Sequence, residues 1–114
     1  MSECLFCRIV AGEVPAETVA ENDHAIAFRD INPAAPTHVL VIPRVHEPNV
    51  AAVASASPEA LVGMFRLAAD VADGEAIAEE GYRLVANTGA AAHQTVFHAH
   101  VHVLGGRTMG WPPG

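Results

Sequence analysis

Positive charge is scarce in this chain. Only 6 of its 114 residues are lysine or arginine, against 13 acids, for a formal charge of −7. A general nucleic-acid binder needs the opposite sign to neutralise phosphates, so that class is excluded. Local capture of a small anion stays open, because backbone amides, helix N-termini and histidines can each hold a phosphate. Long apolar runs are missing too. None approaches the roughly 20 residues that a helix needs to cross a bilayer. The opening MSECLFCRIVAGEVPAE contains acids and no extended apolar stretch. No signal peptide, no membrane contact and a cytoplasmic location are therefore expected. Cysteine is limited to Cys4 and Cys7, spaced as CLFC. Without a secretory signal a disulfide framework is not expected. The pair fits half a zinc site, a redox motif or two small apolar side chains. A redox pair belongs between a strand and a helix, so its place near the N-terminus makes that reading the weakest.

The length fits one domain, residues 1–114, able to bury a core without cross-links. Apolar residues make up 51% of the chain, more than a disordered chain carries. No internal repeat or low-complexity tract is visible. Residues 17–22 and 25–29 read as two strands joined at Asn22-Asp23. DINPAAPT, with two prolines, interrupts regular structure. HVLVI, residues 38–42, reads as a buried strand closed by Pro43. Residues 44–57 read as loop with at most a short helix. Residues 58–80 carry the long helical pattern, with Ser57 as N-cap, Pro58 in the first turn and Gly81 as the stop. Leu61, Phe65, Ala68 and Ala72 give its apolar stripe, and Asp73-Gly74 is its weak point. Residues 82–87 form another strand, and FHAHVHV the last. The order implies an α+β fold. A largely antiparallel sheet of about five strands is covered on one side by the long helix, with one further short helix.

The last strand holds the chemistry. His98, His100 and His102 alternate with Ala99, Val101 and Val103. Residues two apart share a strand face, so three imidazoles line one side while small apolar residues pack on the other. Three roles compete for such a row. The histidines can be packed and hydrogen-bonded with no chemistry. They can ligate zinc or copper. Or a neutral imidazole can act as a nucleophile at neutral pH, its tautomer fixed by a neighbour, with phosphorus the natural target.

At this point the chain resembles a known family. FHAHVHVLGGR has the His-x-His-x-His-x-x form of the histidine triad proteins. FCRIVAGEVPAETVAEND, AFRDINPAAPTHVLVIPRVH, GYRLVANTG and HVLGGRTMGWPPG are similar, in order, to its Hint-like nucleoside phosphoramidase branch. The resemblance covers nearly the whole chain. It implies a HIT-like α+β domain that hydrolyses the P–N bond of purine nucleoside 5′-phosphoramidates, including aminoacyl adenylates. His100 would be the nucleophile that becomes transiently nucleotidylated, flanked by His98 and His102. His102 would help bind the phosphate, and His38 would join the histidine network. Asp30 would bind the ribose hydroxyls, with Ile31 beside the base. Asn87 and Thr95 would contact the phosphate or leaving group. The family is homodimeric, which would bring Trp111 to the partner's site.

Bacterial-type members hold zinc between a CxxC and two histidines, so Cys4, Cys7, His46 and His98 would form a structural metal site. No metal would be needed for the chemical step. One departure stands out: His93-Gln94-Thr95 occupies the place of the family's Gly-Gln-Ser. Two rival readings remain open. One is a metal-dependent phosphohydrolase with the triad as ligands. The other is a nucleotide-binding module with little turnover.

Overall fold

The computed structural model describes residues 3–114. Five strands form one antiparallel sheet. They are β1 (Thr18–Glu21), β2 (Ala25–Arg29), β3 (Thr37–Pro43), β4 (Tyr82–Val85) and β5 (Val101–Gly105), in the spatial order β1-β2-β3-β5-β4. Three α-helices accompany it: α1 (Leu5–Val10), α2 (Val50–Ala56) and α3 (Pro58–Gly74).

Strand alternation divides the core in two. Ala25, Ala27, Val39, Val41, Ala99, Val101 and Val103 point to one face, where they meet Met64, Leu67, Ala68 and Val71 of α3. Ile26, Phe28, Leu40 and Ile42 point to the other face, where Phe6 of α1 closes over them. The second face was expected to be free for chemistry. It is partly roofed, because Leu5–Val10 folds as a helix that the sequence reading did not anticipate. CLFC drew attention as a metal or redox motif, but Cys4 is also the N-cap of α1, its sulfur accepting from the Cys7 amide at 3.4 Å.

The strand and hairpin expectations map closely onto β1 to β4. Asn22 makes the expected hairpin, its side-chain oxygen accepting from the His24 and Ala25 amides at 2.9 and 2.8 Å. The Asn22 amide group also donates to Gly63 O at 3.0 Å and so ties the hairpin to α3.

The long helix ends earlier than expected, at Gly74 rather than residue 80. After the weak Asp73-Gly74 pair the chain turns through Ala76 at φ 59°, and Ile77 drops into the core. Gly105 makes room for it: a side-chain carbon there would lie 2.5 Å from Ile77 Cδ1. The stripe of α3 is also rotated from the expected one. Ala60, Met64, Leu67 and Val71 are buried, whereas Phe65 is 42% exposed. Ser57 precedes Pro58 as expected, but its hydroxyl makes no capping bond. The last strand begins only at Val101, so His98 and His100 precede it, His98 at the end of a bend. Their alternation survives, because Ala99 N–H is held by Glu47 O at 2.7 Å.

Gly63 tests the hairpin–helix contact. A side-chain carbon at Gly63 would lie 2.6 Å from His24 Cβ, while one at Gly74 meets nothing within 4 Å. Gly63→Ala is expected to destabilise the fold by about 1–3 kcal/mol through overpacking. Gly74→Ala is expected to be neutral or stabilising by about 0.5–1 kcal/mol. Urea denaturation of both variants checks the contrast.

Candidate functional site

β3 and β5 are neighbours, with Leu40 opposite His102 and His38 opposite Leu104. His38 and His102 therefore share the face that carries Leu40. The His38 ring is fixed from both ends. Ala34 N–H donates to its Nδ1 at 2.9 Å, so that nitrogen carries the lone pair. The proton then sits on Nε2, which lies 2.8 Å from His102 Nδ1 and 3.4 Å from Asp30 Oδ2. His102 Nδ1 accepts, and the proton of His102 is placed on Nε2.

His100 is set the other way round. Its Nδ1 lies 2.8 Å from His98 O, a carbonyl that can only accept. Nδ1 is the protonated nitrogen and Nε2 keeps an available lone pair. The site thus presents a basic nitrogen on His100 beside an N–H donor on His102, with ring centroids 5.1 Å apart. His102 and His38 are held neutral. Burial, reinforced by His100 and His38, pushes His102 down to about 4. Burial also lowers His38, partly offset by Asp30.

His98 is fully buried and takes different partners from this pair. Its Nε2–H donates to Pro43 O at 3.0 Å, leaving Nδ1 as the lone-pair nitrogen. That nitrogen lies 3.4 Å from Cys4 Sγ, 3.5 Å from Cys7 Sγ and 3.1 Å from His46 Nδ1, while Cys7 Sγ lies 3.2 Å from His46 Nδ1. A tetrahedral ion with ordinary Zn–S and Zn–N bonds separates sulfur from nitrogen by about 3.6 Å and nitrogen from nitrogen by about 3.3 Å. The four donors stand close to those spacings, and Cys₂His₂ is a closed donor set, so these residues fit a structural metal. A second group, Asp30, His38 and His102, also brings possible ligand atoms together. Among the described residues no such group joins all three triad imidazoles, so the triad does not form one three-histidine ligand set.

Asp30 sits at the rim of an apolar cleft of about 510 Å³, lined among others by Phe6, Ile9, Phe28, Ile31 and Leu40. One Asp30 oxygen holds the Asn32 amide at 2.8 Å, which fixes the turn after β2. Ile31 is 92% exposed at the mouth. Asn87 lies two residues beyond Val85, the last residue of β4, which pairs with His102. Thr95 is exposed on the loop before the triad, and Trp111 is exposed in the C-terminal tail.

Two residues of this region were not picked out from sequence. Phe6 packs edge-on against His98 and His100, with centroids 5.9 and 5.2 Å apart. Its signal was the apolar LF pair beside Cys4. Gln94 is buried and braces the triad loop. Its amide donates to Pro48 O and Val96 O at 2.6 and 3.0 Å, and its oxygen accepts from Gly89 N–H at 2.9 Å. Its signal was the glutamine it shares with the family's Gly-Gln-Ser, which does not by itself tell a buried brace from an exposed loop residue.

Comparison with known proteins places this arrangement. The HIT domain matches residues 11–109. The chain belongs to the HIT family. It is 45% identical to the purine nucleoside phosphoramidase of Escherichia coli K12, over 95% of this chain and 91% of that protein. It is also 45% identical to a 14 kDa zinc-binding protein of Zea mays, over 99% of this chain and 89% of that one. The crystal structure of a HIT family hydrolase from Legionella pneumophila superposes with a TM-score of 0.93 at 46% identity, covering 98% of this chain and 100% of that one. The antiparallel five-stranded α+β architecture is thus the HIT fold, and the chain is a hydrolase of this family.

The buried histidines make stability pH-dependent. In the unfolded chain His102 titrates near 6.5, in the folded one near 4. Between those values the unfolded state binds more protons, so stability is full above about pH 6.5 and falls as pH drops toward 4. Urea midpoints measured from pH 7 to pH 4 should fall steadily. His102→Gln should make the decline shallower, leaving the shares of His38 and His98.

Proposed function

We propose that this HIT-family hydrolase cleaves the P–N bond of purine nucleoside 5′-phosphoramidates through a nucleotidyl intermediate on His100. The carrying observation is the opposed tautomers of the two adjacent histidines. His100 Nε2 attacks the α-phosphorus, a P–N bond to the histidine forms, and the bond to the substrate amine breaks. The amine leaves with a proton supplied by a donor of the site, Thr95 hydroxyl or His102 Nε2–H. Water then attacks the same phosphorus, frees His100 and releases the nucleoside monophosphate. Splitting one displacement into two easier ones is the advantage of the covalent route. His102 Nε2–H stabilises charge on the phosphoryl oxygens, and Asn87 adds an amide donor. The apolar cleft takes the base, with Ile31 at its mouth, and Asp30 accepts from the ribose hydroxyls.

The sequence kinship to the Escherichia coli phosphoramidase supports the substrate class. The separation of the triad imidazoles onto different partners favours this reading over triad-as-ligands metal hydrolysis. Zinc held by Cys4, Cys7, His46 and His98 then takes no part in the chemical step. A second copy of the chain is the natural partner. β4 leaves an open sheet edge, and Val62 and Phe65 stand exposed beside Leu61 on α3. That partner would bring its Trp111 toward the leaving group. The whole reading is of a one-domain cytoplasmic enzyme.

His100→Ala should lower turnover of a fluorogenic adenosine 5′-phosphoramidate by about 10³-fold or more while AMP still binds. Undiminished turnover in that variant would overturn the mechanism, and AMP binding without turnover in the wild-type chain would favour a mere binding module. Phe65→Asp should shift the sedimentation coefficient from that of a dimer to that of a monomer. A wild-type chain that sediments as a monomer defeats the paired arrangement.

A further inference from the structure

The four-residue Cys–His cluster and the apolar cleft share one element, α1. This helix has only six residues. A helix that short does not hold itself together in water. Its N-cap, Cys4, and its third residue, Cys7, both belong to the metal-ligand cluster. Between them sits Phe6, and Leu5, Phe6 and Ile9 supply one wall of the cleft that ends at Asp30. The Phe6 ring stands at 90° to His100, 5.2 Å away, and edge-on to Phe28 at 5.6 Å. The cluster reaches the catalytic histidine by a second route. His98 places its Nδ1 among the cysteines and His46, while its own carbonyl receives the His100 Nδ1–H at 2.8 Å.

We propose that metal held by Cys4, Cys7, His46 and His98 sets nucleotide affinity, because it seats α1 and with it the Phe6 wall of the cleft. Cys4 and Cys7 are then positioning residues for the nucleotide. They touch no part of it and act through Phe6. The proposal rests on the nucleotide reading given above. With the metal in place, α1 is anchored at its N-cap and in its first turn, and the cleft is preformed. Without it, α1 is held mainly by the burial of Phe6, and the nucleotide must order the helix as it binds. That ordering cost appears as lost affinity.

The test uses the full chain, Zn²⁺ and AMP. Calorimetric AMP titrations are run on zinc-loaded protein and on protein stripped with a strong chelator, with hydrogen exchange followed in both. Stripping should weaken AMP binding by about tenfold or more. The amides of residues 8 and 11, which bond to Cys4 O and Cys7 O, should lose protection while those of β2, β3 and β5 keep theirs. Zinc-loaded Phe6→Leu should keep its metal content and still bind AMP more weakly. Equal AMP affinity in the loaded and stripped forms overturns the proposal and leaves the functional reading intact. So does loss of sheet protection together with α1, which would make the metal a support for the whole fold. Wild-type affinity in Phe6→Leu, or failure of the chain to take up zinc, overturns it as well. Absence of AMP binding in the loaded protein defeats the functional reading and this proposal together.

Discussion

The hydrogen bond from His100 Nδ1–H to the carbonyl of His98 is the constraint on which the site depends. It fixes which nitrogen of His100 is basic, and it does so through main chain rather than a titratable partner. A carbonyl cannot lose its acceptor role with pH, so the tautomer is set wherever His100 is neutral. The bond in turn requires the His98 backbone to be immobile. His98 is immobile because its side chain is fully buried, with Nε2–H on Pro43 O and Nδ1 in the cysteine cluster. One residue therefore anchors the segment, joins the ligand set and orients its neighbour two positions on.

The second constraint is a relay of imidazoles with a backbone amide at its end. Ala34 N–H reaches His38, His38 reaches His102, and the proton of His102 is placed on Nε2 as a result. Asp30 lies close enough to His38 to favour positive charge there, but burial opposes it more strongly. The balance keeps both rings neutral near neutral pH, where one is a donor and the other an acceptor. The Pro-rich loop after β2 matters for this reason. It puts the Ala34 amide where no strand partner could offer one.

The sequence made the sheet legible because its strands alternate or run apolar between strong breakers. Residues 25–29 were bounded by Asn22-Asp23 and by the prolines that follow. The His-x-His-x-His spacing placed three imidazoles on one side, and before β5 begins His98 and His100 still meet the same Phe6 ring. What stayed hidden was set by tertiary contact. The six-residue α1 has no amphipathic repeat to detect, and its cap is a cysteine rather than serine or aspartate. The end of α3 depends on Ile77 finding space above Gly105, a contact 28 residues away in sequence that no local pattern encodes. The rotation of the α3 stripe has the same origin, since Gly63 must face His24 and this carries Phe65 outward.

For the site the division is similar but sharper. Residue types and spacing brought attention to Cys4, Cys7, His46 and His98, and the fold gathers their donor atoms within 4.8 Å of one another. Spacing could not say that the three triad histidines would face three different partners. That outcome follows from β-strand geometry meeting a helix on only part of one face. Near α1 the histidine side is roofed by Phe6 and the cysteines, so His98 turns inward to them. Farther along, the neighbouring β3 carries His38 on the same face, so His102 meets His38. His100 lies between, packed by Phe6 on one flank and His102 on the other, and among the described residues no side-chain acceptor claims its Nδ1 proton. Its proton goes to the backbone behind it, and the remaining lone pair is the one the site offers to a substrate.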